Sequence, residues 1–238
     1  MRVQNRFISA GYRLLYLTAA LYGVLLSLFM PGAVMWSTLP YFSMQSNLIC
    51  FALILVLSTM DLVNIPYQKL RIFRLFRFCC LILLGLTFTL YHAAIRPRLQ
   101  LEFPAYFAEL SLSEILLNTV TPVMFGLDYL LFDEKGGFRW WHPLAALVLP
   151  AAYAVYVFLY SENGGLFRFF EHTSRAPYFF LDYQEIGLPV TLRWIAWITL
   201  GLLVAGYLLL AVDAGLSFWW TKRQEQHSAA ESKRKESV

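Results

Sequence analysis

Residues 41–57 read YFSMQSNLICFALILVL, and the second half of this stretch is apolar enough to lie in lipid. The first half carries a dense run of polar residues, namely Ser43, Gln45, Ser46 and Asn47. Polar groups that enter a bilayer cost free energy unless they are paired. The stretch therefore predicts a membrane-spanning helix whose first turns meet polar partners on neighbouring helices.

Composition places the whole chain in the same class. Of 238 residues, 59% are hydrophobic, 17% are aromatic and 14% are charged, and the mean hydropathy is +0.56. In a soluble domain about a quarter of the residues are charged. The apolar residues also fall in long runs, which is typical of membrane spans rather than of a soluble core. We predict an all-α, polytopic membrane protein.

Six apolar segments are long enough to cross about 30 Å of hydrocarbon at about 1.5 Å per residue. They lie near residues 9–30, 41–62, 76–96, 113–132, 143–160 and 189–212. The first segment continues into PGAVMW without a small-residue cleavage site, so we expect a span and not a signal peptide. The sequence predicts one six-helix transmembrane domain over residues 1–220 and a charged, disordered tail over residues 221–238.

The distribution of lysine and arginine predicts the orientation. Of the 19 basic residues, 13 lie at the N-terminus, in the connections after the second and fourth spans, and in the tail. The positive-inside rule then places both termini in the cytoplasm and the protein in the cell membrane. The net charge of +4 follows from this asymmetry and does not indicate a nucleic-acid partner. The lipid bilayer is the expected partner, including anionic lipid near the tail.

The cysteines and histidines indicate neither a disulfide, a metal site nor a cofactor. Cys50, Cys79 and Cys80 lie within spans, away from the extracytoplasmic loops where disulfides form, and their spacing does not match metal ligands. His92 and His142 are predicted near opposite membrane surfaces, so they do not form a haem clamp. We therefore predict that the protein uses no metal and no cofactor.

Polar residues from three spans are predicted at one depth near the extracytoplasmic surface. The rise of the helix places them about 3–12 Å inside the membrane. The residues concerned are Ser43, Ser46, Asn47, Tyr91, His92, Glu114, Asn118 and Thr121. Pro122 has no N–H, so the carbonyl of Asn118, four residues back, is predicted to lose its helical partner. The pattern predicts a pocket or a cluster of interhelical hydrogen bonds.

Both interpretations of this polar layer stay open at the level of sequence. Ser, Thr and Asn side chains commonly hold membrane helices together. Ionisable groups inside a membrane, here His92 and Glu114, are usually functional. Four acidic residues toward the cytoplasmic ends of the spans are predicted to pair with the basic loops there, namely Asp61, Asp128, Asp133 and Asp213.

The longest loop, residues 161–188, is predicted to lie on the same side of the membrane as the polar layer. It mixes Phe and Tyr with Asp and Glu, a composition that favours the headgroup zone. The loop is expected either to cover the polar layer as a lid or to form an interfacial belt. Tyr178 and Asp182 are its candidate ligand contacts.

Four segments, YFSMQSNL, LYH, LLNTVTPVMFGLDYLLF and PYFFLD, occur in this order at the places that the topology gives. Over roughly residues 10–212 the chain resembles the bacterial six-pass branch of the androgen-induced-protein superfamily. The eukaryotic relatives are membrane hydrolases of fatty-acid esters of hydroxy fatty acids. They use an intramembrane threonine as nucleophile and a histidine as its partner. The threonine corresponds to Ser43, whose hydroxyl can attack an ester once a base takes its proton.

The chain departs from the family pattern in the fourth span. Bacterial relatives have a histidine just before the TxTP segment, where this chain has Asn118, which is no base at neutral pH. The resemblance therefore implies an altered lipid-ester hydrolase, with Ser43 as nucleophile and His92 as general base. Asn118 and Thr121 would donate hydrogen bonds to the oxyanion. The expected substrate contacts are Ser46, Asn47, Tyr91, Glu114, Thr121, Tyr178 and Asp182.

The alternative is a non-catalytic membrane protein that binds or transports a small amphiphile or an ion. The absent histidine in the fourth span favours this alternative. Transport is disfavoured because the sequence lacks the paired broken helices of many transporters.

Overall fold

A computed structural model describes residues 5–30, 33–104, 111–169 and 172–236 of the chain. In chain order the helices are α1 Arg6–Leu28, α2 Phe42–Leu62, α3 Arg71–Leu90, α4 Arg96–Glu102, α5 Leu112–Ile115, α6 Thr121–Phe132, α7 His142–Ala146, α8 Val148–Glu162, α9 Tyr183–Ile186 and α10 Leu188–Glu236. Two π-helical turns, Tyr91–Ile95 and Leu116–Val120, join α3 to α4 and α5 to α6. The short strands β1 Phe29–Met30 and β2 Ala33–Val34 pair with each other, as do β3 Phe167–Phe169 and β4 His172–Ser174, both antiparallel.

Six helical segments in the described part of the chain are long and apolar enough to cross a membrane. They are Arg6–Leu28, Phe42–Leu62, Arg71–Glu102, Leu112–Phe132, His142–Glu162 and Leu188–Arg223, called the first to sixth spans below. The prediction of six spans in an all-α protein is confirmed by this architecture, which is that of a multi-pass membrane protein. The third and sixth spans are longer than predicted, because α4 continues the third helix and α10 continues past residue 212.

Large apolar side chains cover the outside of the bundle. Leu15, Trp197 and Leu208 are 65%, 68% and 61% exposed, and many other leucines on the spans are exposed as well. A soluble monomer rarely presents apolar surface of this extent, because water penalises it. Hydrocarbon around the bundle removes that penalty, so the exposed surface agrees with the composition of the chain.

The third span lies at the centre of the bundle. It packs against the second, fourth, fifth and sixth spans, while the first span packs against the second and fourth. We call the end of the bundle at which α2 begins and α3 ends the cavity end, and the opposite end the network end. One apolar cluster joins the third, fifth and sixth spans to the 161–188 loop, and a second joins the first four spans.

The 161–188 loop folds into the cavity end instead of lying flat on the outside. Its aromatic side chains Phe167 and Phe180 are 1% and 4% exposed and belong to the apolar cluster around Phe78 and Leu83. The β3–β4 hairpin, a 3-10 turn at Phe179–Leu181 and α9 give the loop a defined backbone. Burial of these rings favours the covering loop over the interfacial belt.

The last helix extends through most of the charged tail. The sequence predicts a disordered segment over residues 221–238, whereas α10 runs as one helix of 49 residues from Leu188 to Glu236. Residues 237 and 238 lie outside the described ranges. Near its predicted exit from the membrane, Arg223 and Lys222 lie over the rings of Trp219 and Phe218, so the apolar surface grades directly into basic surface.

Candidate functional site

A cavity of about 810 Å³ opens at the cavity end of the bundle. Its lining comes from the first turn of α2, the end of the third span, the start of the fourth, the middle of α8, α10 and the 161–188 loop. Ligand cavities in proteins commonly have volumes of about 300–1,000 Å³, so this one has room for a whole small molecule. Most of the lining is apolar and includes Leu86, Leu90, Tyr153, Ile198 and Leu202.

Ser43 lies in this lining, in the first turn of α2. The first N–H groups of a helix have no partner within the helix and must be satisfied from outside. The phenol of Tyr178, from the 161–188 loop, lies close to the backbone of Phe42 and Ser43 and to the Ser43 hydroxyl. Burial raises the pKa of Tyr178 to about 12, and these contacts partly oppose the rise. Tyr178 is therefore a neutral phenol that ties the loop to the start of α2.

The two π-helical turns face each other across the third and fourth spans. A proline stands two residues after the end of each turn, Pro97 in the third span and Pro122 in the fourth. The Nε2 atom of His92 lies 2.9 Å from the hydroxyl oxygen of Thr119 and joins the turns. The His92 ring also contacts the rings of Phe88 and Tyr91. His92 is thus part of a helix–helix contact and is absent from the cavity lining.

The π turn in the fourth span leaves a second carbonyl, beside the one predicted at Asn118, without its α-helical donor. The N–H of Thr121 donates to the carbonyl of Leu116, and Pro122 has no N–H to donate. The carbonyl of Leu117 therefore has neither its α-helical nor its π-helical donor. The Asn47 amide nitrogen donates to this carbonyl at 2.9 Å, and the hydroxyl of Thr121 lies 3.2 Å from it. The sequence predicted the loss of a donor at Asn118, whose α-helical donor would be Pro122, and did not predict the second loss at Leu117.

Ser46, Asn47 and Thr121 serve as interhelical hydrogen-bonding groups and not as cavity walls. The Thr121 hydroxyl donates to the Asn47 amide oxygen at 2.5 Å, and the Ser46 and Thr87 hydroxyls are 2.9 Å apart. The exposed fractions of Ser46, Asn47 and Thr121 are at most 1%. These bonds tie the second span to the third and fourth. Of the two interpretations of the polar layer, the structure gives these three residues the role that holds helices together.

The remaining predicted contacts do lie along the cavity, and several of them also cap helices. Ser43, Tyr91, Glu114, Asn118, Tyr178 and Asp182 all belong to its lining. Glu114 forms a capping box with Ser111 at the start of α5, and Asp182 caps α9 by accepting a hydrogen bond from the N–H of Glu185. The amide of Asn118 donates to the carbonyl of Glu114 at 3.2 Å. Six of the ten predicted site residues thus line the cavity, and their pairings were not predicted.

A buried network of charges occupies the opposite half of the bundle. Arg13, on the first span, is fully buried and donates to Asp128 at 2.9 Å and to Asp61 at 2.7 Å. Arg77, on the third span, contacts the other oxygen of Asp128 and donates to Asp133 at 2.7 Å. We call these five residues the charge network. It connects the first four spans.

No role was predicted for Arg13, and Arg77 is one of the 13 basic residues that the sequence places on the cytoplasmic side. The structure corrects both points, because the acidic residues Asp61, Asp128 and Asp133 pair with these two arginines inside the bundle and not with the loops. An arginine in the middle of an apolar segment is the signal that indicates such a network, since an intramembrane charge requires a partner.

Several polar groups complete the charge network. Tyr67 accepts a hydrogen bond from Arg13 at 2.9 Å, and Ser9 donates to Asp61 at 2.7 Å. Burial raises the pKa of Asp133, and the nearby guanidinium of Arg77 opposes the rise. Lys135 donates to the backbone carbonyls of Tyr129 and Asp133, which brings a third cation beside the carboxylates.

Asp213 forms a separate contact at the network end. Its carboxylate accepts hydrogen bonds from the Tyr129 hydroxyl at 2.6 Å, from the N–H of Gly136 at 2.8 Å and from the N–H of Phe138 at 3.1 Å. Gly136 has a φ of 78°, a conformation that favours glycine and lets the loop turn its N–H groups toward Asp213. The prediction that Asp213 pairs with a basic loop is therefore corrected: it binds the loop through backbone N–H groups and a phenol.

No protein-family model, no curated protein and no solved structure matches this chain.

Proposed function

We propose that the protein binds a single-chain, lipid-like amphiphile in the cavity at the cavity end of the bundle. The observation that carries the proposal is the combination of an apolar interior with polar groups along the same 810 Å³ cavity. An acyl chain would lie against Leu86, Leu90 and Leu202, and a polar head would lie near Ser43 and Asp182. The predicted orientation, with both termini in the cytoplasm, would place this cavity at the outer leaflet.

Binding alone fits the hydrogen bonds better than catalysis does. In the hydrolase hypothesis His92 takes the proton of Ser43, yet His92 is hydrogen-bonded to Thr119. The expected oxyanion donors are also engaged, Thr121 with the Asn47 oxygen and Asn118 with the carbonyl of Glu114. The Thr121 hydroxyl would have to break its bond to Asn47 before it could donate to an oxyanion, whereas an amphiphile can enter with all of these bonds intact.

Ester hydrolysis remains the second candidate because Ser43 lies in the cavity lining, in the first turn of a helix. The N–H groups of that turn are suited to stabilise a developing negative charge. The resemblance to the androgen-induced-protein superfamily, which we retain as a proposal, points to the same residue. Labelling membranes with a lipid-like fluorophosphonate tests this candidate: labelling of the natural chain and not of Ser43→Ala supports a nucleophile, and labelling of neither contradicts it.

Filling the cavity tests the binding proposal. Ala154 belongs to the cavity lining, so Ala154→Trp places an indole in the space of the ligand. Val155, the next residue, is exposed on the outside of α8, and Val155→Trp serves as the matched control. Native mass spectrometry of protein purified in a non-ionic detergent should show a co-purified amphiphile with the natural chain and with the control. Retention of the same amphiphile by Ala154→Trp would contradict the proposal.

A further inference from the structure

The charged groups along the cavity are predominantly acidic. Four carboxylates line it, those of Glu102, Glu114, Asp182 and Glu185, against the guanidinium of Arg98. The Nε atom of Arg98 is 2.5 Å from Glu102, and its guanidinium lies over the ring of Phe179 at 4.4 Å. Arg98 therefore neutralises Glu102. Three carboxylates remain along the cavity.

These three carboxylates form no ion pair with the side chains that the structure describes. Asp182 is 9% exposed, and among the described residues its hydrogen-bond donors are neutral, namely the Ser174 hydroxyl and the N–H of Glu185. Glu114 accepts from the N–H and hydroxyl of Ser111. On the third span, the guanidinium of Arg96 donates to the Tyr91 hydroxyl at 3.5 Å.

Helix capping does not require these groups to be charged. Asparagine caps a helix start as well as aspartate does, and glutamine replaces glutamate in a capping box. A carboxylate that is withdrawn from water pays a desolvation cost that an amide does not pay to the same extent. The negative charges of Glu114 and Asp182 thus exceed what helix capping needs, and a positive charge on a ligand would compensate them.

Aromatic rings line the same cavity as these carboxylates. The Tyr178 ring stacks on Phe180 at 5.4 Å, and the rings of Tyr41 and Tyr153 approach Tyr178 edge-on or tilted at 6.3 Å and 6.5 Å. Asp182 follows Phe180 by two residues in the same loop. A set of electron-rich rings next to carboxylates is the arrangement that recognises ammonium groups in proteins.

We infer that the cavity selects amphiphiles with a cationic ammonium head, held between Glu114, Asp182 and the ring of Tyr178. The inference rests on the proposed function, because it assigns a head group to the ligand of the same cavity. The ammonium head would meet two carboxylates and an aromatic face, while an anionic head of the same size would be repelled. A cationic head therefore binds about tenfold tighter than an anionic one with the same alkyl chain.

Equilibrium binding of three amphiphiles with one alkyl chain length tests the inference. Hexadecyltrimethylammonium, hexadecylsulfonate and a neutral hexadecyl maltoside are titrated against the full chain in a non-ionic detergent. The expected order of affinity is cation first, with the sulfonate about tenfold weaker. Equal binding of the cation and the sulfonate would overturn the inference.

Two conservative substitutions isolate the charges. Glu114→Gln and Asp182→Asn keep both caps, so each should fold, and together they should reduce the preference for the cation to less than about threefold. Glu134→Gln, at the network end, removes a carboxylate that is 47% exposed and should leave the preference unchanged. A double variant that folds with the natural melting temperature and keeps the full preference would also overturn the inference.

The cavity-filling variant separates this inference from the proposed function. If Ala154→Trp weakens binding of all three amphiphiles and the cation holds no advantage in the natural chain, the cavity binds amphiphiles without charge selection, and only the inference fails. If no amphiphile binds, or if Ala154→Trp has no effect on any of them, the proposed function fails and the inference fails with it.

Discussion

Replacing Arg13 with methionine removes a cation from the charge network and keeps much of the apolar length of the side chain. Arg13 is fully buried and lies 2.7 Å from Asp61, 2.9 Å from Asp128 and 3.6 Å from Asp133. In Arg13→Met, Asp128 and Asp133 retain Arg77 as their paired guanidinium, while Asp61 loses its paired guanidinium and retains the hydrogen bond from Ser9. The substitution therefore leaves negative charge in the bundle without its nearest compensating group.

The size of the effect follows from burial. Removing one partner of a buried ion pair costs about 3–5 kcal/mol, because the remaining charge stays desolvated. For a chain of this length each kcal/mol lowers the Tm by about 2–4 °C, so we expect a decrease of roughly 6–20 °C. Arg74→Met is the matched control, since the Arg74–Glu134 pair is 3.8 Å apart and its side chains are 36% and 47% exposed. Such exposed pairs contribute about 0–1 kcal/mol.

The assay is thermal unfolding in a non-ionic detergent, followed by circular dichroism and by loss of monodisperse protein. A second variant, Arg13→Met with Asp128→Asn, removes a carboxylate together with the arginine. Because that carboxylate and the arginine are direct partners, the double variant should be less destabilised than the sum of the two single variants. If Arg13→Met unfolded at the same temperature as Arg74→Met, or if the two effects simply added, the reasoning about a buried network would be refuted.

Three further outcomes follow from other parts of the structure. Asn47→Ala removes hydrogen bonds to the fourth span and should destabilise the chain by about 1–3 kcal/mol, measured as a loss of Tm; an unchanged Tm would contradict the bonding role. Burial raises the pKa of Tyr178 to about 12, so its neutral phenol stabilises the fold fully below pH 10 and loses that effect as the pH rises toward 12. Tyr178→Phe should therefore show a smaller loss of Tm between pH 9 and pH 11 than the natural chain, and identical losses would count against it. Cys50, Cys79 and Cys80 are free and buried, so maleimide should label them only after unfolding; fast labelling of the folded protein would exclude this packing.

The positions of the spans follow from the sequence because lipid thickness and helix rise set the length of an apolar run. The third span is an exception, because its helix continues past the predicted end. The predicted end of the third span near residue 96 stands just before Pro97, a residue that ordinarily ends a helix. In the structure the π turn Tyr91–Ile95 precedes the proline, which lies in the first turn of α4, and α4 continues to Glu102. Hydropathy depends on side-chain composition, so it does not reveal a local change in backbone hydrogen bonding.

The polar layer was predictable as a set of residues and not as a set of roles. Ser43, Ser46 and Asn47 share one helix face by their spacing, yet only Ser43 reaches the cavity, while the other two face the third and fourth spans. Which direction each residue faces depends on the rotation of α2 about its axis. Neighbouring helices fix that rotation, and one segment of sequence does not contain them.

The pairings within the charge network could not be predicted from the sequence either. Asp61, Asp128 and Asp133 look like membrane-edge residues in sequence, and Arg77 looks like part of a basic loop. They become a single buried unit only when four spans meet around Arg13. Pairing between residues that are 48 to 115 positions apart is a property of the packing and not of local composition.

Photo-crosslinking with a hexadecyl amphiphile that carries a diazirine near the end of its chain tests the central claim most directly. After irradiation of the full chain in lipid bilayers, mass spectrometry maps the modified residues. Binding in the cavity predicts labels on Leu86, Tyr153 and Leu202, and it predicts that an excess of the same amphiphile without the diazirine suppresses these labels. Labels confined to lipid-facing residues such as Leu15, Trp197 and Leu208, with no competition, would contradict it.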